Sequence, residues 1–261
     1  MKITKKTGEF VSAFDRLEKL LSSLKSGQLF FFKRVRGKEN ALTFNNPPTM
    51  ADKSEHARLE AFCDGVFAIA ITLLILEIKI PAVGSLHNIQ EFWHRLLEDW
   101  PSWFGFALSF IIILVAWVNH HDVFKIITKS NLQFIYANGF MLFTIVVIPF
   151  STGLMSEYLG TDLAQPAVTV YCFSILMHNI SWIFFGRAAM YPASLFKDRE
   201  SHDLYVKVIY RASRIAFLFY LLLCVLSFWF PFIAMVLMTI SWVYWIFTAV
   251  VVDSNQKKRE Q

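Results

Sequence analysis

The sequence predicts an all-α membrane protein with six transmembrane helices per subunit, and three observations carry that prediction. Of its 261 residues, 56% are hydrophobic and 16% aromatic, well above the apolar share of an ordinary soluble domain. Its apolar runs are about 20 residues long, the length that a helix needs to cross a bilayer core of about 30 Å. The basic residues gather between alternate runs, as the loops of a multi-pass protein require.

Each run predicts one span. Their limits are residues 59–80, 102–120, 134–157, 166–186, 208–230 and 232–252. Pro231, flanked by Phe230 and Phe232, separates the last two runs. Because proline lacks a backbone N–H and breaks a helix, these two spans form a tight hairpin rather than one long helix.

The distribution of basic residues predicts the orientation in the membrane. Basic residues follow the second run, surround the gap between the fourth and fifth runs, and close the chain. The connection between the third and fourth runs holds Glu157 and Asp162 with no Lys or Arg. By the positive-inside rule both termini are cytoplasmic, which six spans permit. The basic residues concerned are Lys125, Lys129, Arg187, Lys197, Arg199, Lys207, Arg211, Arg214, Lys257, Lys258 and Arg259.

The chain divides into a basic extension, residues 1–49, and a six-span membrane domain, residues 50–261. The extension carries ten Lys or Arg residues and could form a basic amphipathic helix on the inner leaflet. A short polar stretch leads from Met50 directly into the first span. We therefore expect that the natural start is Met50 and that residues 1–49 are either mis-annotated upstream sequence or a dispensable extension.

The three cysteines predict neither a disulfide nor a metal site. Cys63, Cys172 and Cys224 fall inside predicted spans, with no C-x-x-C pair or Cys/His ligand spacing. We expect buried thiols that act as small apolar side chains, and no cofactor.

Ionisable residues inside the first predicted span indicate a network between helices. Asp64 costs roughly 2.5–3.5 kcal/mol at the centre of a membrane helix unless a partner or water compensates it. Arg58 lies six residues earlier, about 240° around the helix, so the two cannot pair on one face. Partners at similar depth are available at the end of the second span and the start of the third: Trp117, Asn119, His120, His121 and Asn138.

A second pattern lies farther along the first span. Ile69, Thr72, Leu73 and Leu76 follow the i, i+3, i+4, i+7 spacing of one helical face. Such a stripe usually packs against another helix. A ring of such faces around a symmetry axis would instead make a hydrophobic constriction that gates ions by dewetting.

These residues resemble a known family. The segment RLEAFCDG, residues 58–65, followed by VFAIAITLL, is similar to the R-x-x-x-F-S-D-G signature of the transmembrane protein 175 family, the lysosomal and bacterial potassium channels. The resemblance continues in WVNHHDVF, residues 117–124, and in PFST, residues 149–152, and covers about residues 55–252. Cys63 stands where the family usually has serine.

The resemblance implies a homotetramer in the bacterial plasma membrane, with the first helix of each subunit lining a central pore for potassium ions. The family's narrow isoleucine ring corresponds to Ile69 and its selectivity-related threonine to Thr72. Further apolar pore layers correspond to Leu73 and Leu76. A network that supports the pore helix would contain Arg58, Phe62, Asp64, Trp117 and His120.

Potassium-preferring passive conduction is therefore the leading functional prediction, with potassium ions and the lipid bilayer as partners and no nucleic acid. A proton-coupled transporter, in which Asp64 and His120 or His121 titrate, is the alternative. An enzyme with Cys63 as nucleophile and His120 as base is a weaker third interpretation, because an apolar setting disfavours the thiolate. We expect no catalytic residues and no bound metal beyond transient potassium.

Overall fold

A computed structural model describes residues 49–82, 84, 86–190, 195–197 and 210–243, with the backbone alone at residue 212. Every regular element in this part of the chain is helical. In chain order the helices are α1 (Met50–Leu73, continued by a 3₁₀ turn over Leu74–Glu77), α2 (Ile89–Glu98), α3 (Trp100–Ile126), α4 (Leu132–Tyr158), α5 (Ala164–Met190), α6 (Arg211–Leu226) and α7 (Pro231–Val243).

Four helices are long and apolar enough to cross a membrane: α1 with its 3₁₀ turn, α3, α4 and α5. They correspond to the first four predicted spans, and each begins before the limit that hydropathy set. The fifth and sixth predicted spans correspond to α6 and α7, which are shorter apolar helices within the described residues. The remainder of those two spans, the extension over residues 1–48 and the C-terminal segment lie outside the described residues, so the six-span count stays a prediction.

Side-chain caps and prolines set several helix boundaries. Thr49 and Asp52 form a capping box at the start of α1, in which each accepts a hydrogen bond from the other's backbone N–H. Asn131 caps α4 by accepting from the Phe134 N–H. Pro231 begins α7 after a turn that follows Leu226, so the break predicted between the last two apolar runs is present.

The connection between α1 and α3 contains a helix that hydropathy did not predict. In α2, Ile89, Trp93 and Leu97 lie one turn apart on one face, and all three are exposed. Glu91 and Arg95 lie on the other face. Ten residues are too few to span a bilayer, so hydropathy assigned this segment to a connection between spans. The segment instead forms an amphipathic helix.

Helices α3, α4 and α5 pack side by side, and α1 lies against α3 and α4 at the edge of this group. Of the 18 most apolar consecutive residues in each helix, only 22% are buried in α1, against 61% in α5. The buried face of α1 consists of His56, Cys63, Phe67, Ala70 and, in the 3₁₀ turn, Leu74. The opposite face of α1 is therefore an exposed apolar surface.

Candidate functional site

The four residues of the predicted pore stripe all lie on the exposed face of α1. The side chains of Ile69, Leu73 and Leu76 are 59%, 41% and 72% exposed, and Thr72 is exposed as well. The Thr72 hydroxyl donates to the Ile69 carbonyl at 2.9 Å, so its hydrogen is used within the helix. Its oxygen lone pairs and its methyl group are what the residue presents outward.

Asn138 of α4 joins α1 to α3 at the opposite, buried face. Its Nδ2 donates to Cys63 Sγ at 2.9 Å, and its Oδ1 accepts from His120 Nε2 at 2.9 Å. All three residues are at most 1% exposed. Because the amide bonds both partners, it fixes the ring of His120 and the first helix relative to one another.

Asp64 finds its partner on α3. Trp117 Nε1 donates to Asp64 Oδ1 at 2.9 Å, which satisfies one carboxylate oxygen inside the apolar region. One turn earlier on α1, Glu60 Oε1 accepts from His121 Nδ1 at 3.1 Å. The indole of Trp117 stacks on the His121 ring with centroids 5.8 Å apart, so the two contacts support each other.

The structure separates the predicted supporting residues into two groups. Asp64, Trp117 and His120 lie at the contact between α1 and its neighbours. Arg58 and Phe62 lie on the exposed side of α1, and Phe62 is 63% exposed. Phe62 precedes Ile69 by seven residues, so it extends the exposed stripe by two turns.

His56 also holds the N-terminal end of α1, which is its inner end in the predicted topology, and sequence reasoning missed it. Its ring stacks on Phe124 with centroids 4.9 Å apart. Its Nε2 donates to the Phe124 carbonyl at 3.2 Å, and its Nδ1 contacts the Ser130 hydroxyl at 3.3 Å. His56 precedes Cys63 by seven residues, so helical periodicity would have placed both on one face had α1 been extended toward Met50.

Two contacts at the C-terminal end of α1, which is its outer end in the predicted topology, were also missed. The Glu77 carboxylate lies against the backbone of Gly153 on α4. Lys79 forms an ion pair with Glu157, one turn farther along α4. The only sequence signal was the pair of charges, two residues apart, at the end of the first apolar run.

In the described part of the chain these polar groups form hydrogen bonds between helices rather than a cluster of metal ligands. No group of three or more His, Cys, Asp or Glu residues there could hold a metal ion. Cys63 and His120 are each bonded to Asn138, so the amide lies where a nucleophile and base would have to meet. The arrangement can hold helices together, but it does not offer a free nucleophile.

Comparison with known proteins agrees with this architecture. Residues 58–149 match the family model described as the endosomal/lysosomal potassium channel TMEM175. A potassium channel of Chamaesiphon minutus is 47% identical over 123 residues, which are 46% of this chain and 59% of that relative. A potassium channel of a Chryseobacterium species is 31% identical over 180 residues, 68% of this chain and 85% of the relative.

A solved structure shares the fold. The crystal structure of a lysosomal potassium-selective channel TMEM175 homologue from Chamaesiphon minutus superposes with a TM-score of 0.64 at 36% identity, covering 76% of this chain and 98% of that one. The Chryseobacterium relative and this solved structure are each covered over more than four-fifths of their length at more than 30% identity. The chain belongs to the TMEM175 family.

Proposed function

We propose that the protein conducts potassium passively, in preference to sodium, through a central pore that α1 lines in a homotetramer. The observation that carries the proposal is the two-sidedness of α1. One face is hydrogen-bonded to α3 and α4 through Cys63 and Asp64. The other exposes Ile69, Leu73 and Leu76 along the same helix.

An exposed apolar stripe on a helix anchored from behind suits a hydrophobic constriction. Four copies around an axis would form successive rings at Ile69, Thr72, Leu73 and Leu76, narrow enough at Ile69 to lose water and stop ions. The Thr72 hydroxyl donates its hydrogen to the Ile69 carbonyl, but its oxygen lone pairs can still accept from water or coordinate a cation. Selectivity would then arise at the Ile69 and Thr72 rings.

The tetramer also gives Arg58 and Phe62 a place. Both lie on the exposed side of α1, where a neighbouring subunit would cover them. The guanidinium would contribute to the predicted supporting network only through such a neighbour. The names of the bacterial relatives as potassium channels support this assembly as a channel in the bacterial plasma membrane, and the basic residues favour cytoplasmic termini.

A proton-coupled transporter is less consistent with the geometry. Its groups, Asp64 and His120 or His121, would need to exchange protons with water during transport. His120 is fully buried, and its Nε2 is committed to Asn138. Asp64 is held by Trp117. Membership in a channel family likewise favours conduction over catalysis.

Ion flux through purified protein in liposomes tests the proposal. We expect potassium flux to exceed sodium flux under matched gradients. Ile69→Asn should wet the constriction and bring the ratio of the two fluxes toward one. Leu218→Asn is the matched control, because Leu218 is 65% exposed on α6, away from α1.

Two results would overturn the proposal. An unchanged flux ratio in Ile69→Asn would mean that α1 does not line the path. Flux that strictly requires a proton gradient would instead support the transporter that uses Asp64 and the histidines.

A further inference from the structure

The outer end of α1 changes its winding just where Glu77 occurs. Residues Leu74–Glu77 form a 3₁₀ turn, in which side chains at i and i+3 lie one above the other. Leu74 is fully buried, so the turn brings Glu77 onto the same buried side. Continued α-helical winding would turn Glu77 about 60° away from Leu74. The 3₁₀ turn therefore directs the carboxylate at α4.

The Glu77 carboxylate lies against Gly153 of α4. A Cβ atom at Gly153 would lie 2.6 Å from Glu77 Cδ and would overlap Oε2, so any other residue there requires the Glu77 carboxylate to move away. Glycine inside a helix costs roughly 0.5–1 kcal/mol relative to alanine. A Cβ atom at Gly139, on the same helix, would meet nothing within 4 Å, so close approach distinguishes Gly153.

The part of α4 around Gly153 is itself firmly held. The Thr152 hydroxyl donates to the Ile148 carbonyl at 2.8 Å. Its oxygen is then free to accept from the Ser109 hydroxyl at 2.6 Å, and Ser109 in turn accepts from Tyr171 at 3.0 Å. This buried chain of hydroxyls joins α3, α4 and α5. Glu77 thus rests on a fixed surface.

A second contact lies one turn farther out on the same face of α4. Glu157 follows Gly153 by four residues, and Lys79 follows Glu77 by two. The ion pair between Lys79 and Glu157 is 62% and 42% exposed at its two side chains. The end of α1 is therefore held to α4 at two successive turns.

We propose that Glu77 is a positioning residue. Its contact with Gly153, together with the Lys79–Glu157 ion pair, joins the end of α1 to α4, and we call these two contacts the outer latch. The latch sets the position of the end of α1 and thereby the path radius at Leu76, the residue that precedes Glu77. The statement about the path rests on the proposed function. The latch itself is a contact between α1 and α4 within one subunit and can be tested without ion flow.

Crosslinking tests the latch directly. Lys79→Cys and Glu157→Cys place thiols at two contacting positions, while the native cysteines Cys63, Cys172 and Cys224 are buried. In liposomes, a short bifunctional thiol reagent should link the two. Adding Gly153→Ala should slow linking by at least about twofold, since contacting residues couple by this much or more. Gly139→Ala, the control, should leave the rate unchanged.

Shortening the side chain at position 77 tests whether the Glu77 carboxylate is the group whose close approach requires glycine at position 153. With Lys79 and Glu157 restored, Gly153→Ala should shift the ratio of potassium to sodium flux from the wild-type value, while Gly139→Ala should not. Glu77→Asp withdraws the carboxylate by one methylene and makes room for the new methyl group. Combining Gly153→Ala with Glu77→Asp should therefore return the flux ratio toward the wild-type value.

The outcomes separate the two proposals. Equal linking rates in Gly153→Ala and Gly139→Ala would overturn the latch, whatever the flux shows. Slowed linking with a wild-type flux ratio in Gly153→Ala would overturn the positioning role. A wild-type protein that passes no potassium would overturn the proposed function and with it the effect on the path, while slowed linking would still establish the latch.

Discussion

The two ends of α1 are held in different ways. At the inner end, Glu60, Cys63 and Asp64 each reach a partner on α3 or α4, within a single turn of helix. At the outer end, one carboxylate rests on the Gly153 backbone, and an ion pair with both side chains substantially exposed lies beyond it. The bond between Asn138 and Cys63 is buried and the other two are half-buried, so they act in a lower dielectric than the exposed outer pair, whose charges water screens. The inner end is thus the fixed end, and the outer end, near Leu76, is the one that small energies can move.

Replacing the bridging amide should have the largest effect on this difference. Asn138→Ala removes the bonds to both Cys63 and His120 and leaves a small cavity among three helices. We expect the free energy of unfolding to fall by about 2 kcal/mol, measured by SDS titration in mixed micelles.

Asn119→Ala is the matched control for that substitution. Asn119 is exposed and next to His120 in the sequence, so the same chemical change should alter stability little. Equal losses in the two variants would show that the inner end does not depend on the Asn138 bridge.

The contact between Asp64 and Trp117 should come next. Asp64→Ala leaves the indole N–H without its acceptor in an apolar region, and we expect a loss of about 1.5 kcal/mol. Asp64→Asn retains an Oδ1 that can accept from Trp117, so its loss should be smaller. An Asp64→Asn protein as unstable as Asp64→Ala would mean that charge, rather than this hydrogen bond, holds the inner end.

The same contrast explains what the sequence could predict. Burying an unpaired aspartate inside an apolar run costs free energy, so the sequence predicted a partner for Asp64. Trp117 and His120 were candidates at matching depth in the membrane. Gly153 gave no such indication, because a glycine in an apolar helix suggests that another group packs closely against it but does not identify that group. Its partner Glu77 lies at the end of the first run, where charges normally meet water. The helix α2 was missed because hydropathy finds spans rather than short amphipathic helices.

The spacing of residues in the sequence also did not predict which side of α1 each side chain faces. Phe62 was grouped with Asp64 in the supporting network, yet it lies on the stripe with Ile69. The family signature gives residue types at fixed positions, but a helix presents neighbouring residues about 100° apart, toward different surroundings. Whether Arg58 and Phe62 support the pore depends on a neighbouring subunit and stays a prediction.

Restoring a hydroxyl at residue 63 should strengthen the inner end slightly. Cys63 Sγ is a weak acceptor for the Asn138 amide, and a serine oxygen is a stronger one. We expect Cys63→Ser to raise the free energy of unfolding by about 0.5 kcal/mol and to leave ion flux intact. An enzyme that used a thiolate at this position would lose activity instead. Ala70→Ser, which changes another buried residue of α1, controls for the added hydroxyl.

Reversing the outer ion pair should have the smallest effect on stability. Lys79→Glu and Glu157→Lys each place like charges together, and each should lose about 0.5 kcal/mol at low salt, because both side chains are largely exposed. The double reversal should recover most of that loss, and high salt should reduce the difference among all four proteins. The position of Leu76 can still respond, since the outer end has no buried hydrogen bond among the described contacts that would resist a shift. Flux that is altered by each single reversal and restored in the double reversal, with stability lowered by no more than this small amount, would show that weak electrostatic contacts set the outer end of the path.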